Sequence, residues 1–227
     1  MRYLTDITIA LYSCILDDYS DIMESILSDV HKQLANRLRA LRIARGLTLD
    51  GLAARAGVSR SMISLVERGE SSPTAAVLDR LSAGLGVTLA SLFAEDARAD
   101  ASPVARRAEQ VAWRDPQTGY LRRNLSPPGH PSPLDLVEVV LPAGARVAYD
   151  SPAARHTAGI CQQVWVMEGT LELSLGDVTH RLDNGDCLAM RVGGPTIFRN
   201  PGDRDVRYLV ALAADPAPGS IHRGSTP

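Results

Sequence analysis

The sequence predicts two domains in series: an all-α unit of five short helices, then an antiparallel β sandwich or barrel. Three observations carry this. The 227 residues exceed the roughly 100–150 of a usual single domain. Apolar residues recur at helical spacing as far as Phe93, whereas beyond Trp113 short β-compatible runs alternate with Gly, Pro and Asp turns. Charge is also uneven. His31–Ala94 holds nine Arg/Lys against four Asp/Glu, a balance of +5, which leaves -7 elsewhere in a chain of net charge -2. A basic segment inside an acidic chain is the footprint of a phosphate-contacting module.

Residues 1–30 are apolar and then acidic, and read as an amphipathic helical arm. Met23 offers an alternative start that would leave the first 22 residues outside the natural protein. The first helix of the bundle spans Leu34–Arg45, with Leu34, Leu38, Leu41 and Ile43 inward, Arg37, Arg39, Arg42 and Arg45 outward, and Gly46 at its end.

The next stretch, LTLDGLAARAGVSRSMISLVERG from Leu47 to Gly69, is the most informative. Thr48 caps a helix whose apolar face is Leu49, Leu52, Ala53 and Ala56. Gly57 ends it, because a left-handed residue after a helix favours glycine. Val58 plugs the turn, and Ser59 caps a second helix with Met62, Ile63 and Val66 behind it. Helix, four-residue turn and capped helix make a helix-turn-helix, the device that lays a recognition helix in the DNA major groove. Beyond it, Pro73 and Thr74 open a helix buried through Ala76, Val77, Leu81 and Leu85 and ended by Gly84 and Gly86. Thr88–Phe93 closes the bundle as a fifth helix. Residues 95–112, rich in Ala, Asp, Arg and Pro, read as a linker.

The expected strands are Tyr120–Leu125, Leu134–Leu141, Arg146–Tyr149, Val164–Met167, Thr170–Leu175, Thr179–Leu182, Cys187–Arg191, Thr196–Arg199 and Val206–Leu212. The implied domains are 1–30, 31–94, 95–112 and 113–214, with a flexible tail at 215–227. Cys14, Cys161 and Cys187 are odd in number and lack metal-site spacing, so they read as reduced thiols of a cytoplasmic protein. No segment reaches about 18 uninterrupted apolar residues, so no membrane span is expected. The N-terminus lacks the pattern of a secretory signal.

The spacing of Ala53, Gly57, Ile63 and Glu67-Arg68-Gly69 resembles the lambda-repressor-like (Cro/C1, XRE) helix-turn-helix family. That resemblance implies a five-helix fold binding double-stranded operator DNA as a homodimer. It puts Arg60, Ser61 and Ser64 on the base-facing side of the recognition helix, with Arg60 the leading reader of guanine. Arg68, Ser71 and Thr74 would meet phosphate, and Ser59, at the start of the recognition helix, is also expected at the DNA. One departure is Leu49, where many relatives carry a Gln that braces against the backbone. Glu67 is expected to be structural and paired with an Arg.

From Leu134 to Ala213 the turns resemble the cupin family of jelly-roll barrels. Val166–Leu173 matches its first strand pair, Leu182–Asp186 its later turn, and Phe198–Asp203 the exit of its second motif. Metal-binding cupins use two His, a Glu and a later His. At those positions stand His156, Ala158, Gln162 and Thr196, so the resemblance implies no metal, no cofactor and no enzyme chemistry here. His156, Gln162, Val164, Thr196 and Phe198 are instead the expected lining of a small-molecule site, with Tyr149 or Arg191 as possible additions. Trp165 alternates away from that site and suits packing or a dimer contact. The implied function is a transcriptional regulator whose barrel senses an unidentified small molecule and dimerises. The alternatives are a metal-dependent cupin enzyme with an attached DNA-binding domain, or a barrel serving only to dimerise.

Overall fold

The computed structural model describes residues 30–94, 96, 98–149, 160–191 and 193–214. The expected arm, the tail, Met23, Cys14, His156 and Ala158 lie outside the described residues.

The helical part comprises α1 (30–44), α2 (Leu49–Ala56), α3 (Arg60–Glu67) and α4 (Ala75–Leu85). Local chemistry sets the boundaries. The Thr48 side chain accepts the Gly51 N–H at 3.0 Å, Ser59 that of Met62 at 3.2 Å, and Thr74 that of Val77 at 3.4 Å. Each satisfies one donor that the first turn of a helix leaves open. Gly57 takes φ 64°, and its N–H returns to the Ala53 carbonyl, so the chain leaves α2 in the left-handed region. Leu34, Leu38, Leu52, Ile63, Val66, Leu78, Leu81 and Leu85 are nearly or wholly buried and form the shared core.

Three sequence expectations for this part are corrected. The fifth helix is a three-residue 3-10 turn, Ala90–Leu92, so the described residues hold four α-helices. The N–H groups of Ser91, Leu92 and Phe93 all bond three residues back, since the six residues of Thr88–Phe93 leave little room for an α ladder. Gly84 does not end α4; Gly86 does, at φ 67°. Within α1, Ile43 is 58% exposed, whereas Arg42 turns inward to a carboxylate.

The barrel is two antiparallel sheets. The larger runs β1 (Ala112–Arg114), β2 (Leu121–Asn124), β3 (Leu134–Leu141), β10 (Val206–Ala214), β5 (Ile160–Glu168), β8 (Cys187–Arg191). The smaller runs β4 (Arg146–Tyr149), β9 (Thr196–Arg199), β6 (Leu171–Leu175), β7 (Val178–Leu182). Nine strands were expected; β1 falls where the linker meets the barrel. The cupin-like turn is fastened by reciprocal bonds between Val166 and the 185–186 backbone, at 2.9 and 3.0 Å. Asn200, 1% exposed, donates to the Leu141 and Arg204 carbonyls and accepts the Gly202 N–H, so this buried amide is fully used.

The connection at 95–112 does not hold the two units apart. Its Arg98 N–H bonds the Gly129 carbonyl at 2.9 Å, and Arg37 of α1 pairs with Asp96 at 2.6 Å. Phe93, at the end of the helical part, packs on Trp113 of β1 with ring centroids 5.9 Å apart, and Asn124 donates to the Phe93 carbonyl. α4 also packs on β4.

Candidate DNA interface and ligand cavity

The α2–α3 pair presents one face built by its caps. Ser59 spends its hydroxyl on the Met62 N–H and lies 3.2 Å from the Ser61 hydroxyl, while Ser61 itself stays exposed. Arg60, the first residue of α3, is exposed over 65% of its side chain and lies 3.5 Å from the exposed carboxylate of Asp50. Such a surface pair is worth little and can part for a ligand. Arg68 donates to the Ser64 hydroxyl and forms a two-point pair with Glu70, at 2.7 and 2.8 Å. That guanidinium is therefore held in place beside the end of α3. Thr74 serves as the cap of α4, and Ser71 is half-buried in the loop before it.

Behind this face, Glu67 accepts two hydrogen bonds from Arg42, at 2.6 and 2.7 Å, and Arg42 also donates to the Leu47 carbonyl at 2.9 Å. One guanidinium thus joins α1, the loop before α2, and α3. The carboxylate raises the Arg42 pKa further through these hydrogen bonds.

A second feature lies between the units. The open end of the barrel is closed by α4 and the segment after it, leaving a cavity of about 120 Å³. Gln162, Thr196 and Phe198 line it, as does Tyr149; Val164 is fully buried and does not. Thr196 donates its hydroxyl to the Gly194 carbonyl at 3.1 Å. Phe198 stacks on Tyr208 at 5.8 Å, and Tyr149 meets Phe198 edge-on at 5.8 Å. Burial pushes the Tyr149 and Tyr208 hydroxyls well above the ordinary tyrosine range, with Tyr120 beside them adding to the shift, so these two act as neutral hydrogen-bonding groups.

Two sets of lining residues escaped the sequence reading. Asp79, Ser82, Ala83, Val87, Thr88 and Leu89 come from the helical unit, and no sequence signal marks them. Tyr120, Arg122 and Tyr208 come from the barrel. For Arg122 a signal existed: it shares an inward face with Tyr120 by strand alternation.

Two of the four cupin metal positions, Gln162 and Thr196, are among the described residues, and neither supplies an imidazole or a carboxylate. Gln162 offers an amide, and Thr196 offers a hydroxyl already donating to a carbonyl, beside the phenyl ring of Phe198. Divalent transition metals favour imidazole, thiolate and carboxylate donors. Among the described residues, no group of three or more His, Cys, Asp and Glu stands close enough to hold a metal. Cys161 and Cys187 are free, half-buried and exposed respectively.

The helix-turn-helix family HTH_3 matches residues 38–92, and the cupin domain family Cupin_2 matches residues 138–212. The HTH-type transcriptional regulator SutR of Escherichia coli (strain K12) is 27% identical over 175 residues, 77% of this chain and 91% of that protein. Control protein C.MunI of Mycoplasma sp is 31% identical over 70 residues, 30% of this chain and 95% of that one. The crystal structure of an HTH_3 family transcriptional regulator from Vibrio cholerae aligns with TM-score 0.65 at 26% identity, covering 83% of this chain and 99% of that chain. The chain belongs to the HTH_3 (XRE-type) helix-turn-helix transcriptional regulators, which are DNA-binding proteins. In this member a cupin domain follows the helix-turn-helix. Among the described residues no helix is long and apolar enough to cross a membrane.

Proposed function

We propose that this regulator is a homodimer whose cupin domain senses a small molecule and performs no catalysis. The observation that carries the reading is the shared cavity. Its walls come from the barrel and from α4 together, so an occupant touches the DNA-binding unit directly. α4 packs in turn on α2, the first helix of the helix-turn-helix. An effector alters DNA binding only through a difference in affinity between two arrangements of the protein. A cavity on the boundary between units offers such a difference, whereas a cavity inside the barrel alone would need a relay.

Two recognition helices, one per subunit, would read an inverted repeat with half-sites about 34 Å apart. Arg60, Ser61 and Ser64 would face bases; Ser59, Arg68, Ser71 and Thr74 would approach phosphate. The chemistry of the cupin positions favours a receptor over an enzyme, because an amide and a hydroxyl replace donors on which metal-dependent catalysis depends.

Binding-site selection with the full-length protein tests the DNA reading, with an inverted repeat as the expected product. A metabolite panel, scored by melting temperature and then by operator affinity, tests sensing. A coupling of about 1–3 kcal/mol changes operator affinity 5- to 150-fold, and by linkage the operator changes ligand affinity equally. One equivalent of bound iron, manganese, nickel or zinc per chain on elemental analysis would overturn the non-catalytic reading.

A further inference from the structure

Arg122 is 6% exposed, lines the cavity, and buries its Nε and Nη2 without a hydrogen-bond partner among the described residues. Its guanidinium carbon lies 6.0 Å from the centre of the Phe93 ring, where the helical unit meets the barrel. A guanidinium is charged at every physiological pH, and an uncompensated buried charge costs several kcal/mol. The ring face offsets a fraction of that cost. Asp79 is the one carboxylate among the described lining residues. Asp135 lies within electrostatic range of Arg122 but outside this cavity, and burial raises its pKa against that influence. A half-satisfied cation therefore stands in the wall of a void, close enough for its charge to reach Tyr149 and Tyr208, which line the same space.

We propose that the cavity between α4 and the barrel is a receptor site for a small organic anion, its charged head held by Arg122. The remaining walls suit the rest of such a molecule. Phe198, Met190, Val210 and Leu212 give an apolar body somewhere to lie, and Tyr120, Tyr149 and Tyr208 line the same space. Thr196, whose hydroxyl hydrogen already bonds Gly194, retains acceptor capacity for a donor on the ligand. Ser82 and Ala83 of α4 form the opposite wall, next to Gly84, where α4 comes closest to Ala56 of α2. Filling the cavity therefore presses on the helix that braces the helix-turn-helix. This inference rests on the sensing role proposed above and specifies its ligand class.

The test uses the full-length protein, refolded from denaturant to strip any carried-over anion, with acetate, benzoate and neutral benzamide as probes. Acetate or benzoate should bind saturably by calorimetry and raise the melting temperature. Benzamide should bind at least about tenfold more weakly than benzoate, the worth of one charge-assisted hydrogen bond. Arg122→Met should abolish the anion response. Without any anion, the same variant should melt at or above the wild-type temperature, since it removes a buried charge whose Nε and Nη2 lack hydrogen-bond partners among the described residues. The inference is overturned if neither anion binds, or if benzamide equals benzoate. It is equally overturned if Arg122→Met leaves anion binding intact, or melts more than about 3 °C below wild type, which marks a structural guanidinium. Anion binding through Arg122 with unchanged operator affinity would sink the sensing role and leave the anion site standing. An operator response driven equally by benzamide would do the reverse.

Discussion

Arg42 and Glu67 form a two-point ion pair, at 2.6 and 2.7 Å, that joins the first helix of the bundle to the recognition helix. The Glu67 side chain is 7% exposed and that of Arg42 13%, so neither is well hydrated in the folded state. Removing one partner strands the other charge. Glu67→Ala should cost about 3 kcal/mol in denaturant-induced unfolding. A loss below about 1 kcal/mol would mean that Arg42 simply swings into water.

α2 and α4 approach so closely at Gly84 that an added Cβ would stand 2.9 Å from the Ala56 Cβ and 3.1 Å from its Cα and N. Backbone cannot yield as a flexible side chain does. Gly84→Ala gains about 1 kcal/mol of helix propensity, but overpacking costs about 1–3 kcal/mol. The expected result is net destabilisation together with weaker DNA binding, because α2 fixes the seat of α3. A more stable variant would show that the two helices can spread freely.

The parts legible in the sequence are those decided within a few residues. Thr48, Ser59 and Thr74 cap the helices they were expected to cap, since a cap depends only on the next turn. β3, β4, β8 and β9 run over the expected residues, bounded by Gly and Pro turns. Contacts between distant segments stayed hidden. Periodicity alone put Arg42 outside, but Glu67, twenty-five residues on, draws it in. Glu67 itself was expected to pair with an Arg, and the identity of that Arg needed the fold. The cavity depends on how α4 docks against the barrel, which no local pattern encodes. Its cation was half visible, because an Arg at the inward position of a strand is a departure that strand alternation exposes.

Trp165 is 46% exposed on the outer face of β5, opposite Cys187 of β8 and Leu209 of β10. Its indole donates to the Gly185 carbonyl at 3.2 Å, which tethers one edge of the ring. A tethered, exposed aromatic beside an apolar neighbour suits contact with a second copy of the chain. In sedimentation equilibrium at micromolar concentration the native chain should be dimeric, and Trp165→Arg should shift it toward monomer. A dimer unaffected by that change would place the interface elsewhere.

Arg60 and Arg68 should behave differently on DNA, because the fold leaves them in different states. Arg60 opens the recognition helix, and its neighbour Asp50 is a surface carboxylate 3.5 Å away. Leaving that pair costs little, so the guanidinium is available to bond guanine O6 and N7 together. Arg60→Ala should lose about 1–3 kcal/mol on the preferred site and relax selectivity at one base position. Arg68 is fastened to Glu70 and Ser64. It meets phosphate only as a pre-positioned charge, and part of its field is already spent on Glu70. Arg68→Ala should therefore weaken preferred and random sequences alike, and lower the slope of log affinity against log salt by up to about 1. Glu70→Gln, which frees Arg68 of its carboxylate, should strengthen binding to all sequences. Titrations of the three variants across a salt series, each on the selected site and on a scrambled one, separate the two roles. Loss of selectivity in Arg68→Ala, or equal weakening on both sites in Arg60→Ala, would reverse the assignment of base reader and phosphate contact.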